Sequence, residues 1–187
     1  GFHRYSVDER WFVPHFEKML YDQGQLAVSY LEVFQITRDP FFAQVARDIF
    51  EYVLRDLRHP DGAFYSAEDA DSVIDAANPH EKGEGAFYIW TRDELNRVLG
   101  EEMAEWFSYR YGVEQDGNVR NDPHGEFTGR NILFEAHTLA ETARRFERSE
   151  EDLRAAFVDA QRALMAARDL RVRPHRSEEH TSELQSR

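Results

Sequence analysis

The sequence predicts a mainly α chain of helical hairpins with one short β-hairpin inserted. Three observations predict it. Apolar residues recur at i, i+3 and i+4 through much of the chain. The helical segments come in pairs, joined by a very short turn or by a long irregular loop, as in an α/α repeat architecture, although no fixed period is visible. Two similar tetrapeptides, Gly62-Ala63-Phe64-Tyr65 and Gly85-Ala86-Phe87-Tyr88, read as short paired strands.

Residues 1–12 form an irregular entry rich in aromatics. Pro14 suits a first helical turn, where its missing N–H costs nothing. Phe16, Met19, Leu20, Leu26, Ala27, Tyr30, Leu31 and Phe34 then predict a helix to about Ile36, interrupted at Gln23 and Gly24. Asp39-Pro40 caps a second helix with Phe42, Val45, Ile49, Tyr52 and Val53 on one face, so the two form an antiparallel hairpin. His59-Pro60-Asp61-Gly62 is a turn. An acidic loop holding Glu68, Asp69, Asp71, Asp75, Glu81 and Glu84 separates the two aromatic tetrapeptides. Thr91 with Glu94 is a capping box opening a third helix, and Gly100 separates it from a fourth over about 101–110. Residues 112–136 are long and irregular, a length that is usually functional or disordered. Helices over about 137–147 and 149–168 follow, the second opened by Ser149 with Asp152.

Composition narrows the function. The 23 Lys and Arg against 36 Asp and Glu give a net charge of −13, which argues against nucleic acid or an anionic membrane as partner. There is no cysteine, hence no disulfide, thiolate metal site or CxxC chemistry in these residues. No apolar run approaches the roughly 20 residues a membrane helix needs. Aromatics at 13% mark a folded chain rather than a disordered acidic one. No HExxH, GxSxG, Walker A or GxGxxG occurs, so zinc hydrolase, serine hydrolase, P-loop and dinucleotide readings lack support, and no metal or cofactor is expected. The residues do not set the compartment; the cytoplasm is the default expectation.

Three clusters could carry chemistry. In the first, His15, Lys18 and Asp22 share one helical face and Glu17 and Tyr21 another, near His3 and Arg4. A histidine with carboxylates at a helix mouth can move protons, although Lys18 and Asp22 could equally be an ordinary i, i+4 ion pair. The second runs Phe64-Tyr65-Ser66-Ala67-Glu68-Asp69-Ala70-Asp71-Ser72. Carboxylates following aromatic rings suit sugar recognition or acid–base work on a glycosidic bond. A calcium loop starting at Asp69 fails at Ile74 and His80, and a solvated acidic turn is the plain alternative. The third holds His124 and Glu126 in the long loop.

Long motifs tie these clusters to a family. Gly1-Phe2-His3-Arg4-Tyr5-Ser6, Val13 through Gln23, Asp61 through Ser72, Glu84-Gly85-Ala86-Phe87-Tyr88-Ile89-Trp90 and Gly125 through Leu133 together resemble the spermatogenesis-associated protein 20-like family. That family has a thioredoxin-like domain followed by a six-hairpin glycosidase-like, (α/α)6 toroid domain. The resemblance covers about residues 1–175 and implies a partial toroid, with the thioredoxin-like domain lying upstream and outside this stretch. Arg171, Arg173, Pro174 and His175 also fit a family motif. Residues 176–187 resemble the translation of a sequencing adapter and are set aside from the fold. Gly24, where relatives usually carry alanine, departs from the pattern.

The fold is shared with sugar epimerases, isomerases and glycosidases, whose sites lie in the central funnel. The resemblance therefore implies a sugar-processing or sugar-binding domain with a carbohydrate ligand. His15, Asp69 and Asp71 are the expected catalytic groups. His3, Arg4, Tyr21, Asp22, Tyr65, Glu68, Trp90, His124 and Glu126 are the expected substrate contacts, with Tyr65 and Trp90 stacking on a ring. The alternative is a non-catalytic scaffold attached to the thioredoxin-like domain. A third reading has this stretch inactive alone, with an apolar flank left open.

Overall fold

Backbone pairing, rather than helix propensity, organises the start of the chain. The computed structural model describes residues 1–120 and 125–177. They belong to two units, residues 1–72 with the stretch from Pro174, and residues 73–173.

In the first unit, β1 (Tyr5–Ser6) pairs antiparallel with β2 (Pro14–His15), placing Tyr5 opposite His15. The chain stays extended into β3 (Lys18–Met19), and α1 (Leu20–Thr37) starts only there. The helix expected from Pro14 therefore begins six residues late. The reason is tertiary: the Arg4 N–H donates to the Glu17 carbonyl at 3.0 Å and the Leu20 N–H to the Ser66 carbonyl at 2.9 Å, so this backbone is satisfied by neighbouring segments. Nor does Val13 offer a capping oxygen ahead of Pro14.

Gln23, which interrupts the apolar stripe of α1, is fully buried. Its amide donates to the Phe2 carbonyl and accepts from the Phe2 N–H, each at 2.8 Å. Arg38 closes α1 in the left-handed conformation, and Asp39 caps α2 (Pro40–Tyr52) by accepting from the Phe41 N–H at 2.9 Å. α1 and α2 form the expected hairpin, with Ala27 on one helix and Ala43, Ala46 and Ile49 on the other buried. A π-helical turn, Val53–Leu57, ends α2 and buries Asp56 and Leu57.

Gly62, at φ 97°, makes the predicted turn after His59. The following aromatics are not a strand: Phe64 makes only an isolated bridge to Arg58. The ladder forms one step later, where β4 (Ala67–Glu68) pairs antiparallel with β3 on one side and with β7 (Arg176–Ser177) on the other. Arg176 and Ser177, set aside by sequence, thus supply an edge strand; 178–187 lie outside the described residues.

The two-stranded hairpin is also displaced from expectation. It consists of β5 (Asp71–Asp75) and β6 (Asn78–Glu84), inside the segment read as an acidic loop. Gly85 through Tyr88 fold instead into a turn, with the Tyr88 N–H donating to the Gly85 carbonyl at 2.7 Å and Phe87 buried. Aromatic composition marked these residues as strands, but burial of Phe87 in the core is better met by a turn.

The second unit gathers α3 (Arg92–Leu99), α4 (Glu101–Arg110), α5 (Leu139–Phe146) and α6 (Glu150–Arg168) around Trp90, Leu95, Phe107, Leu153 and Phe157. Thr91 with Glu94 and Thr138 with Glu141 are complete capping boxes. The long loop between α4 and α5 is stapled by two buried amides. Asn118 donates to the Gly112 and Ile132 carbonyls, each at 2.8 Å, and accepts from the Ile132 N–H at 2.9 Å. Asn131 accepts from the Glu114 N–H at 2.8 Å and donates to the Trp90 and Glu114 carbonyls at 3.2 and 3.1 Å.

The chain is therefore mainly α with small sheets, six α-helices among the described residues. None of the described helices is long and apolar enough to cross a membrane.

Asn131→Ala removes the side-chain partners of the part-buried Glu114 N–H and carbonyl, while the Trp90 carbonyl keeps its bond from the Asn131 N–H, so it should destabilise the second unit by about 1–2 kcal/mol. Urea denaturation followed by tryptophan fluorescence measures this; an unchanged midpoint would show that the loop does not depend on this amide.

Candidate functional site

The β3–β4 ladder brings the first two sequence clusters together, with Lys18 directly opposite Glu68 and Met19 opposite Ala67. Side chains of an extended chain alternate between faces, so Glu17 and Lys18 point to opposite sides and each heads its own polar group.

On the Glu17 side, the Arg4 guanidinium donates to Glu17 Oε2 at 2.9 Å. His15 Nε2 lies 3.8 Å from the same oxygen, and the His15 ring stacks on Tyr5 at 4.9 Å. Tyr21 and Asp22, on the first turn of α1, lie within the electrostatic reach of Arg4. Burial opposes the charge on Arg4, but its hydrogen bond to Glu17 and the proximity of Tyr21 outweigh this and hold it cationic. Asp22 has the contrasting environment. Its Oδ2 is buried without a hydrogen-bond partner. Burial pushes its carboxyl above the ordinary aspartate range, with Arg4 opposing and Glu17 adding to the rise. Tyr5 and Tyr21 expose about half their surface beside this group, at 51% and 47%.

On the other side, Lys18, Glu68, Asp56 and Tyr52 are all buried. The Lys18 ammonium sits 4.5 Å from the centre of the Tyr52 ring, a cation–π contact. Burial first, then the charges of Glu68 and Asp56, push the Tyr52 hydroxyl far up. Asp56 reaches this place through the π-helical turn, accepts from Arg55 at 2.6 and 3.1 Å, and has its carbonyl bound by Arg176 at 2.8 Å. Asp56 and Tyr52 carry no sequence motif; Asp56 lies in the π-helical turn just past α2, beside the buried Leu57.

The expected site residues are distributed as follows. His3, Arg4, His15, Tyr21 and Asp22 all lie in the β1–β3 and α1 region of the first unit. His3 Nδ1 lies 2.9 Å from the Phe16 carbonyl and its ring meets Phe16 edge-on. Glu68 belongs to the buried group opposite Lys18. Asp69 is half-buried and its N–H donates to the His175 carbonyl at 2.8 Å, whereas Asp71 opens β5 in an exposed position. Tyr65 is half-buried, its ring covered by Arg176 at 4.7 Å and met by His59 at 5.4 Å. Lys18 and Asp22 do not share a helical face, because Lys18 is in a strand.

Trp90 and Glu126 belong to the second unit. Trp90 is buried in the helical core, with the Arg171 guanidinium 4.0 Å from its ring centre, so its ring offers no face to a solvent-borne sugar. Glu126 is exposed and lines a cleft of about 410 Å³ with Ile74, Glu84, Glu94, Arg130 and Arg171. There Arg171 donates to the Ile89 carbonyl at 2.7 Å and both arginines approach Glu94, at 3.3 and 3.4 Å, which makes the centre of the cleft a structural brace. His124 lies outside the described residues. Among the described residues, no three His, Asp or Glu side chains form a metal-holding group.

Comparison with known proteins finds relatives of much greater length. No family model matches the chain. Spermatogenesis-associated protein 20 of Homo sapiens is 43% identical over 190 residues, covering 94% of this chain and 23% of that protein. The Mus musculus protein of the same name matches equally, and an uncharacterised protein of Caenorhabditis elegans is 39% identical over 94% of the chain and 25% of its own length. The chain thus spans about a quarter of the length of these relatives.

The Asp22 environment has a measurable consequence. A carboxyl with a raised pKa binds its proton more tightly when folded. Its contribution to stability is full below the unfolded value of 3.8 and is lost as pH rises through the folded value. Asp22→Asn removes that loss. The melting temperature of the variant relative to wild type should therefore be near zero difference at about pH 3 and climb towards about pH 7. A flat difference, or one of opposite slope, would contradict the buried-carboxyl account.

Proposed function

The chain is a relative of spermatogenesis-associated protein 20 that spans 23% of its length, and from that premise we propose that it forms part of a sugar-processing (α/α)6 toroid of the six-hairpin glycosidase-like kind. The α1–α2 hairpin and the helical pairs of the second unit support the repeat architecture. The reading of function rests on one observation: Asp22 and Glu17 stand in opposite environments around Arg4. Glu17 is paired with the guanidinium, while Asp22 presents a buried oxygen with no partner. The Asp22 carboxyl, pushed up by burial and left without a partner, supplies a proton donor beside the ion-paired Glu17.

In this reading Asp22 donates a proton to a sugar oxygen, His15 takes one up, and Glu17 with Arg4 orients His15 and a hydroxyl. The exposed rings of Tyr5 and Tyr21 supply apolar contact to the pyranose. Asp69 and Asp71 have no assigned step in this reading: the backbone of Asp69 is bonded to His175, and Asp71 is exposed.

The test uses a full-length protein carrying this segment, incubated in deuterated water with a panel of aldoses, ketoses and simple glycosides and followed by proton NMR. The expected result is turnover or saturable binding of at least one panel member, with Asp22→Asn lowering turnover by about 100-fold or more. A folded protein that neither binds nor turns over any member would sink the proposal.

A further inference from the structure

A polar side chain breaks the apolar stripe of α1 at Gln23, one residue after Asp22, and it is wholly buried. Burying an amide is costly unless its polar ends are bonded. Both ends of Gln23 are bonded, and to the same residue. Its Nε2 donates to the Phe2 carbonyl and its Oε1 accepts from the Phe2 N–H, each at 2.8 Å. The side chain thus meets the Phe2 backbone as a neighbouring strand would. An aliphatic residue would leave both backbone groups unbonded, and a carboxylate would lack the donor.

The clamp acts two residues from Arg4. Each residue of the segment leading into β1 has its own tie. His3 Nδ1 lies 2.9 Å from the Phe16 carbonyl. Arg4 is bound to Glu17 twice, by its N–H at 3.0 Å and by its guanidinium at 2.9 Å. Those ties run to the chain ahead of β3. The ties of Phe2 run instead to α1: the Gln23 amide, and the ring of Tyr30, stacked at 5.8 Å. Gln23 therefore fastens the Arg4 segment to the helix that carries Asp22. The charges acting on Asp22 come from these same segments, with Arg4 opposing the rise of its carboxyl and Glu17 adding to it. Lys18, Glu68 and Asp56 belong to the group on the other side of the ladder.

We propose that Gln23 is a positioning residue of the candidate site: its clamp on the Phe2 backbone holds Arg4 within reach of both Glu17 and Asp22, and so sets the charge that the acid faces. This deepens the sugar reading and rests on it for the use made of the acid. Gln23 touches no substrate; it acts through Arg4.

The test uses a full-length protein carrying this segment. The melting temperature of each background is compared with that of its Asp22→Asn counterpart from about pH 3 to about pH 8, and the pH at which the difference climbs marks proton loss from Asp22 in that background. Gln23→Leu removes both bonds. It lowers the melting temperature at every pH, as loss of a buried amide would in any role. On the proposal it also moves the climb to higher pH, because Arg4, no longer held beside Asp22, stops opposing the proton. Gln23→Asn, one methylene shorter, moves it the same way by less, and carries the test if the leucine variant does not fold. Tyr30→Leu takes away the ring contact to Phe2 and keeps the amide clamp, so it lowers the melting temperature without moving the climb. If a panel sugar is turned over, the high-pH limb of kcat moves together with the climb. A climb at the same pH in wild type and in the Gln23 variants, or one moved equally by Tyr30→Leu, would overturn this inference and leave the sugar reading standing. A climb moved as expected, in a protein that binds no panel sugar, would leave the clamp standing and overturn the sugar reading.

Discussion

Two short strands, Lys18–Met19 and Ala67–Glu68, hold the account together. Their pairing joins the motif that precedes α1 to the motif that follows α2, and the same β4 then receives Arg176 and Ser177 on its other edge. Register matters more than extent here. A slip of one residue would exchange Lys18 for Glu17 on the buried face and turn both polar groups inside out. The flanking bonds from Arg4 to Glu17, from Leu20 to Ser66 and from Ser66 to Ser177 prevent the slip. Met19 and Ala67, which face each other across the pair, are each about 1% exposed.

This arrangement sorts charge by environment. Lys18, Glu68 and Asp56 lie below the sheet, where burial is severe and every charge has neighbours of opposite sign or an aromatic ring. Such a group rigidifies a core only when its members are mutually satisfied. Arg4, His15, Glu17, Tyr21 and Asp22 lie on the other side, closer to water, and there one carboxyl oxygen is left without a partner. The Tyr52 hydroxyl is likewise without a hydrogen-bond partner on the first side, so the two sides differ in the cation they hold, an ammonium on the first and a guanidinium on the second. The asymmetry follows from the alternation of side chains along residues 17 and 18.

Much of the helical frame was legible in the sequence because its signals are local. The Asp39 cap, the Thr91–Glu94 box, Gly100 and the apolar periodicity of α2 to α6 each report on their own segment. Errors arose where a distant partner decided the backbone. Pro14 through Met19 have helical spacing but are extended, because Tyr5 and Glu68 lie across from them. Gly85 through Tyr88 have strand composition but form a turn, because Phe87 is needed in the core. For the candidate site, His3, Arg4, His15, Tyr21 and Asp22 were within reach of sequence, since they crowd into one motif. Glu17's pairing with Arg4, the burial of Lys18 and the arrival of Asp56 through a π-helical turn were not, because no local pattern encodes them. Trp90 shows the converse. An aromatic beside a motif suggested a ligand contact, and the structure uses it as core.

The absence of cysteine from the chain makes the central pairing directly measurable. Met19→Cys combined with Ala67→Cys places two thiols on residues that face each other across antiparallel strands, within reach of a disulfide. Mild oxidation of the folded double variant, followed by mass spectrometry of its proteolytic fragments, should show one intramolecular link between these positions in nearly every molecule. Two free thiols in a protein that remains folded would mean that the strands do not meet in this register, and the site built upon them would fall with the pairing.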